Sequence, residues 1–327
     1  MVLYTPPKAA THIPVIDLAP ARDGEGKRKA AWEIRQACRD TGFFYVRHHG
    51  VPEGLIVAQF AFAARFFALP LERKQQLHMN HTRSFAGYEP VAGQTLDADS
   101  PPDLKESYYY SRDLPDDHPY VVAGIRGYGA NQWPDELVGF REQMLAYHAA
   151  VRKLGDRLLG LLALSLGLPE KWFTPMYKEA SGTVRLLRYP PHPRDASFNQ
   201  LGAGAHTDGG GITLLAQDDI GGLEVQNAAG EWISATPIPG TFVINLGDLV
   251  QRWTNDVYRS TMHRVLNNTA AGRDRYSVPF FYSPGHYARI QCLSTCTGPG
   301  NPPKYIPCTA GEHLMEMFNR TYGRKVA

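Results

Sequence analysis

The sequence predicts a mixed α/β fold with an all-β core, a β-sandwich or jelly roll on which a helical lobe packs. Three observations carry that prediction. From residue 181 onward, short apolar runs (VRLLRY, ITLLAQ, LEVQ, WISA, FVINL, MHRVLN, YSVPFFY, ARIQC) recur at roughly ten-residue intervals, as strands do in a sandwich or jelly roll. Before that point, apolar residues recur at helical spacings in separate stretches. The 31 Gly and 25 Pro among 327 residues also supply more turns than a helical bundle uses.

Each element can be justified in order. Residues 12–18 (HIPVIDL) alternate like a short strand, and Pro20 closes it. Ala30, Ile34 and Cys38 at spacings of four predict a helix over 27–41. GFFYV at 42–46 is an aromatic and β-branched strand stopped by HHGVP, and a second helix follows over 53–67. Residues 78–117 are rich in Asn, Ser, Asp and Pro and read as irregular, apart from a strand at 105–110 (KESYYY). Leu137, Phe140, Met144, Tyr147, Val151, Leu154, Leu158 and Leu161 draw one apolar stripe over 136–166, which Gly167 and Pro169 terminate. The segment GDLVQRWTN reads as core strand and turn with Asp248 structural, and Trp232 and Trp253 as core or rim aromatics. Thr309, three residues before Glu312, starts a terminal helix over 309–322 with a capping box.

No linker, internal repeat or low-complexity tract divides the chain. The expectation is one domain over 1–327: a helical lobe with a few strands (1–180), a jelly-roll core (181–308), and a helix and tail (309–327). Apolar content of 43% and charged content of 20% exclude disordered and fibrous classes. The net charge is +2, and Arg320, Arg324 and Lys325 form only a short basic cluster, so no nucleic-acid partner is expected. No apolar run is long enough to span a membrane, and the N-terminus lacks a basic region followed by an apolar one. A cytoplasmic monomer or weak homodimer acting on a small molecule is therefore expected. Cys292, Cys296 and Cys308 cluster, but no fourth ligand stands at a zinc-finger offset, so they read as reduced thiols.

The sharpest chemical signal is GAHTDGGG, with His206 and Asp208 two positions apart. On a strand such residues share a face, so imidazole and carboxylate converge. A third ligand would be a later histidine: His263 lies in a strand-like run, His286 follows Pro284 and Gly285 in a turn, and His313 sits in the terminal helix. Two histidines and one carboxylate with open positions make the facial triad of non-haem iron oxygenases. The bland alternative has His206 capping a loop and Asp208 supplying a turn beside Gly209, Gly210 and Gly211. Those glycines lack the GxxxxGK context of a phosphate loop.

Other residues fit an acid-binding site. Arg275 and Ser277 share a face of the next strand, and a guanidinium fork beside a hydroxyl suits a carboxylate. Arg273 sits in a Gly-Arg-Asp turn and reads as solvated. Arg185, Leu187 and Tyr189 share a strand face, so Tyr189 could offer its hydroxyl to the acid, and Arg185 could help or form a structural ion pair. Phe281 continues the parity of Arg275 and Ser277 and either walls the site or packs the core.

These segments together resemble the isopenicillin N synthase-like group of Fe(II)- and 2-oxoglutarate-dependent oxygenases over nearly the whole chain. GFFYVRHHGVP is similar to the family's N-terminal strand and NHGV-type turn, with His48 where Asn is usual. RLLRYPPHP resembles its tyrosine-proline segment. GAHTDGGGITLLAQDDIGGLEVQ, GEWISATPIPGTFVINLGDLVQRWTN, YRSTMHRVLNN and RYSVPFFYSP follow its core in order. The resemblance implies a double-stranded β-helix, a distorted jelly roll flanked by helices. It implies His206, Asp208 and His263 as iron ligands, Arg275 and Ser277 on the distal carboxylate of 2-oxoglutarate, and Tyr189 beside that cosubstrate. O₂ would be the oxidant, ascorbate a candidate reductant, and succinate and CO₂ co-products of oxidising a C–H bond, by hydroxylation, desaturation or ring closure. Arg83, Phe85, Tyr88, Tyr108 and Tyr110 fall where the family's variable substrate side lies. Two rivals remain: an iron oxidase that uses no 2-oxoglutarate, of the isopenicillin N synthase or aminocyclopropane-carboxylate oxidase type, and a non-catalytic sandwich that binds a metal or a small acid.

Overall fold

The computed structural model describes residues 9–322 apart from 194–196, 198 and 268–271. The first part supplies β1 (Val15–Asp17), α1 (Gly24–Asp40), β2 (Phe43–Arg47), α2 (Glu53–Phe67), α3 (Leu71–Gln76), β3 (Gly87–Glu89), β4 (Glu106–Tyr110), α4 (Pro119–Val122) and α5 (Phe140–Ser165). There follow β5 (Ser181–Tyr189), β6 (Ala203–His206), β7 (Ile212–Gln217), β8 (Leu223–Gln226), β9 (Trp232–Ser234) and β10 (Thr241–Leu246). The chain closes with α6 (Asp248–Trp253), β11 (His263–Val265), β12 (Arg275–Ser283), β13 (Arg289–Ile290), β14 (Cys308–Thr309) and α7 (Ala310–Tyr322).

Local chemistry explains the element ends. The Asp23 carboxylate accepts from the Gly26 amide at 2.8 Å and caps α1, whose Ala30, Ile34 and Cys38 are buried as their spacing predicts. Helix α5 starts at Phe140 rather than at 136, because Gly139 with φ of 80° breaks the helical path before it. It ends before Gly167, which takes φ of 72°. At α7 the expected capping box is present: Thr309 Oγ1 accepts from the Glu312 amide at 3.2 Å, and the Glu312 carboxylate accepts from the Thr309 amide at 2.7 Å.

The strands form two facing sheets, the large one ordered β1-β2-β10-β7-β12-β5-β4-β3 and the small one β6-β11-β8-β9. A further ribbon pairs β13 with β14. Except for the parallel pair β1-β2, the large sheet is antiparallel. One core, including Phe66, Tyr108, Met144, Leu158 and Tyr282, fills the space between the large sheet and the helices. A second, smaller core, including Phe43, Leu187, Leu223, Val243 and Val265, lies between the sheets. The functional candidates open into that second layer.

Two expectations need correction. Residues 248–253 are helix α6, not strand. Leu249, Val250 and Trp253 are its buried side, a helical rather than an alternating set. The irregular stretch 78–117 also contains β3, which pairs with β4 at the edge of the large sheet. Arg320 pairs with Glu316 one turn back on α7, while Arg324 and Lys325 lie outside the described residues. Among the described residues, no helix is long and apolar enough to cross a membrane. Cys292, Cys296 and Cys308 are free thiols.

Candidate metal centre and active site

His206 ends β6 and His263 opens β11, and the two are direct partners in the antiparallel register. Their ring centroids stand 4.2 Å apart, and Phe43 packs edge-on against His263 at 5.3 Å. Asp208 follows β6 by two residues. Its Oδ2 accepts from Thr213 Oγ1 at 2.5 Å and from Asn245 Nδ2 at 2.7 Å. Those bonds fix the carboxylate and leave Oδ1 facing His206 Nε2 at 3.9 Å and His263 Nε2 at 3.8 Å. These separations are too long for hydrogen bonds. They suit three donors around a cation, and one ligand atom from each residue lies within 4.8 Å of the others.

Tautomer and charge agree with that geometry. His206 Nδ1 donates to the Gly204 carbonyl at 2.7 Å, and His263 Nδ1 to the Thr261 carbonyl at 3.1 Å. The proton on each ring is thereby held at Nδ1, which leaves the Nε2 lone pairs for a metal. Burial, reinforced by the charge of His263, pushes the His206 pKa down to about 3, so its imidazole is neutral near pH 7. For Asp208, burial alone would raise the pKa; His263, His206, Asn245 and Thr213 together outweigh it and hold the carboxyl below its ordinary value.

The glycine loop seats the carboxylate. A Cβ at Gly211 would run into the Tyr177 hydroxyl and the Tyr282 carbonyl, so only glycine fits there. The start of α6 closes over the same loop: the Asp248 amide donates to the Asp208 carbonyl at 2.7 Å and the Leu249 amide to Gly210 at 3.1 Å. Helix α6 therefore has a site-building role that a strand could not fill.

A cavity of about 70 Å³ opens from this centre between the sheets. Arg275, Ser277, Tyr189, Arg185 and Phe281 line it, as do His206, Asp208 and His263. Arg275 is 2% exposed, lies over the Tyr189 ring at 4.8 Å and donates only a long 3.4 Å bond to Gln217. Its Nε and Nη1 are buried with no partner among the described residues. A buried guanidinium with unfilled donors is costly, and an incoming carboxylate would satisfy it. Arg185 is engaged elsewhere: it donates to Glu89 at 2.6 Å and to Gln94 at 3.1 Å, and it stacks on Tyr109 at 4.5 Å. These contacts match the ion-pair reading, and Arg185 also lines the cavity. Arg273 makes an ion pair with Asp219 in the exposed turn.

The substrate-side expectation needs correction. Tyr88, Tyr108 and Tyr110 do not reach the cavity. They are buried on the opposite face of the sheet, where Tyr108 packs on Phe66 at 4.4 Å and the Tyr110 hydroxyl accepts from Gln59. Phe85 stacks on Phe318 of α7 at 4.6 Å, and neither it nor Arg83 lines the cavity. On β4 the odd positions face inward: Ser107 and Tyr109 both hydrogen-bond Glu89, and Lys105, one residue before the strand, lines the cavity. Lys105, Thr213, Asn245 and Leu96 are lining residues that sequence reading did not single out. Strand parity in ITLLAQ and FVINL would have marked Thr213 and Asn245.

Comparison with known proteins decides the family. Residues 13–136 match the family described as non-haem dioxygenase in morphine synthesis N-terminal, and residues 180–284 match the 2OG-Fe(II) oxygenase superfamily. The chain is 40% identical to the 2-oxoglutarate-Fe(II) type oxidoreductase hxnY of Emericella nidulans, covering 98% of this chain and 93% of the relative. The chain belongs to the 2OG-Fe(II) oxygenase superfamily. A full-length Neurospora crassa protein solved in complex with alpha-KG superposes with a TM-score of 0.84 at 30% identity, covering 94% of this chain and 96% of that one. A putative 2OG-Fe(II) oxygenase from Caulobacter crescentus gives 0.84 at 32% identity, covering 95% and 99%. As a member of this superfamily the protein is an oxidoreductase, an Fe(II)- and 2-oxoglutarate-dependent dioxygenase that acts on small molecules. Its fold is the superfamily's jelly roll flanked by helices.

Proposed function

We propose that His206, Asp208 and His263 hold Fe(II), and that Arg275 and Ser277, with Tyr189 alongside, anchor the distal carboxylate of 2-oxoglutarate. On this reading the enzyme oxidises an unactivated C–H bond of a small molecule, by hydroxylation, and releases succinate and CO₂. One observation carries it: a fixed carboxylate oxygen faced by two Nε2 lone pairs opens into the same cavity as a buried arginine with unfilled donors.

Bound iron and 2-oxoglutarate supply the oxidising power from O₂. The chain's own residues do the placing. Thr213 and Asn245 hold Asp208 in one rotamer, and the Gly204 and Thr261 carbonyls fix both imidazole tautomers. Apolar Leu187, Leu223 and Val265 in the inter-sheet layer keep bulk water away. That the strands β1 to β4 join the same sheet as β5, β7, β10 and β12 supports a single oxygenase domain over 1–327. The +2 net charge supports a protein without a nucleic-acid partner, and we place it in the cytoplasm as a monomer or weak homodimer.

Relatives act on chemically unrelated compounds by their names. They include a clavatol oxidase of Penicillium crustosum and a homoarginine-6-hydroxylase of Glycine max, and the Neurospora crassa protein was also solved with thymine. Their names therefore select no substrate for this chain. The reading is tested by anaerobic titration of the Fe(II) protein with 2-oxoglutarate, which should produce a visible charge-transfer band that decays when O₂ is admitted. Turnover should release one succinate per product. Normal product formation with O₂ and a reductant but no 2-oxoglutarate would favour the keto-acid-independent oxidase instead.

A further inference from the structure

We propose that Lys105 reads the substrate: its buried ammonium takes an oxygen acceptor, carboxylate or carbonyl, on a small molecule with an apolar body. The proposal deepens the function above and rests on Arg275 being occupied by 2-oxoglutarate.

Lys105 is 4% exposed, and lysines are seldom this buried without a full set of partners. Glu106 pairs with Arg188 across β4 and β5, so one step back in that register Lys105 stands beside Tyr189 on the cavity face. An ammonium carries three donors. Among the described residues, its one hydrogen-bond acceptor is the carboxylate of Asp103. Asp103 is itself committed, because its Oδ1 accepts from the Gly204 amide of β6 at 2.9 Å. The lysine is thus pinned beside the strand that ends in His206.

The other cavity cations have assignments. Arg275 lies at the 2-oxoglutarate end, and Arg185 is held by Glu89 and Gln94. Lys105 is left with spare donor capacity on the wall of the same cavity that His206, Asp208 and His263 line. Burial pushes its pKa down to about 8, which still leaves it mainly protonated at pH 7. Leu96, Leu187 and Phe281 supply apolar wall around it. A ligand that fits such a site has an apolar body and one oxygen aimed at the ammonium, because unfilled buried donors are costly and a matched acceptor relieves that cost.

The test uses benzoate as the carboxylate probe, benzamide as the neutral carbonyl probe and toluene as the body without an oxygen. Binding is measured anaerobically by calorimetry on Fe(II) protein saturated with 2-oxoglutarate. Wild type should bind benzoate or benzamide at least about tenfold more tightly than toluene. Lys105→Met should remove that preference and leave toluene binding unchanged, while Lys105→Arg should retain part of it. If benzoate loses far more than benzamide, the natural ligand is a carboxylate; equal losses mean a carbonyl. Because Lys105→Met leaves Asp103 buried without its partner, Asp103→Asn with Lys105→Met is measured in parallel as the charge-neutral pair. A wild type without oxygen preference, or a preference that survives loss of Lys105 in a folded variant, overturns the proposal. The charge-transfer band is recorded on the same samples. Its absence in wild type sinks the 2-oxoglutarate reading, whereas a band without oxygen preference sinks Lys105 alone.

Discussion

At the scale of single residues, Arg275 and Arg273 make a controlled pair. Both are arginines near the start of β12, yet Arg275 is 2% exposed with unfilled donors and Arg273 lies in the solvent-exposed turn. A charge-assisted hydrogen bond in a dry site contributes roughly 1.5–3 kcal/mol. Arg275→Ala should therefore raise the 2-oxoglutarate requirement at least about tenfold, since about 1.4 kcal/mol is one decade. Arg275→Lys should recover only part, because an ammonium lacks the planar fork. Arg273→Ala should be nearly silent. Steady-state kinetics against 2-oxoglutarate checks all three, and a dominant effect at Arg273 would refute the assignment. The proposed metal ligands give a second prediction. His206→Ala and His263→Ala should each abolish Fe(II) and Co(II) binding, read by calorimetry. Their Nε2 atoms both face Asp208 Oδ1, so neither has a substitute.

At the scale of elements, one helix-to-sheet contact and one helix cap can be measured. His148 of α5 hydrogen-bonds through Nε2 to the Gly182 carbonyl of β5 at 2.8 Å, and burial pushes its pKa from 6.5 down to about 4. Between those values the unfolded chain takes up a proton that the native chain does not, so stability falls as pH falls through that window. By linkage the loss is about 2 kcal/mol at pH 5 relative to pH 7. His148→Gln should show a correspondingly flatter profile in urea unfolding at the two pH values; identical slopes would refute the assignment. At α7, Thr309→Ala removes one half of the capping box, which should cost about 1 kcal/mol in the same unfolding assay. Phe318 on Phe85 and Met317 against Gly209 show what that helix covers.

At the scale of the whole molecule, the proposed metal centre draws on both sheets: His206 and His263 from the small one, Thr213 and Asn245 from the large one. Metal and cosubstrate should therefore stabilise the assembled fold and not the unfolded chain. At a hundred times its dissociation constant a ligand adds about 2.7 kcal/mol. Co(II) with 2-oxoglutarate should raise Tm by several degrees in scanning fluorimetry, and the increment should vanish in His263→Ala. An unchanged Tm in wild type would count against a site shared between the sheets.

Much of this protein is written locally. The helix over 53–67 has the bounds expected of it, and the capping box at Thr309 is a four-residue signal. His206 with Asp208, and Arg275 with Ser277, are pairs whose spacing alone puts them on one face, because strand side chains alternate. Other features depend on what lies across the sheet. Among His263, His286 and His313, the strand-like run around His263 favours it over a turn or a helix residue, and antiparallel pairing brings it opposite His206. In KESYYY three consecutive tyrosines carry no alternation, so the sequence does not show the phase of β4, and Tyr108 and Tyr110 lie on the face away from the cavity. The pairing of β4 with β3 and β5 set that phase and turned Lys105 and Tyr109 inward. Likewise GDLVQRW became a helix because its first amides are satisfied by the glycine loop of Asp208, a contact between segments about forty residues apart. Sequence by itself determined the elements, their order and the types of residue available for chemistry, since these rest on propensities and spacings within a few residues. Tertiary structure decided which face each strand presents and which candidates meet, because those choices rest on hydrogen bonds and packing between segments far apart in the chain.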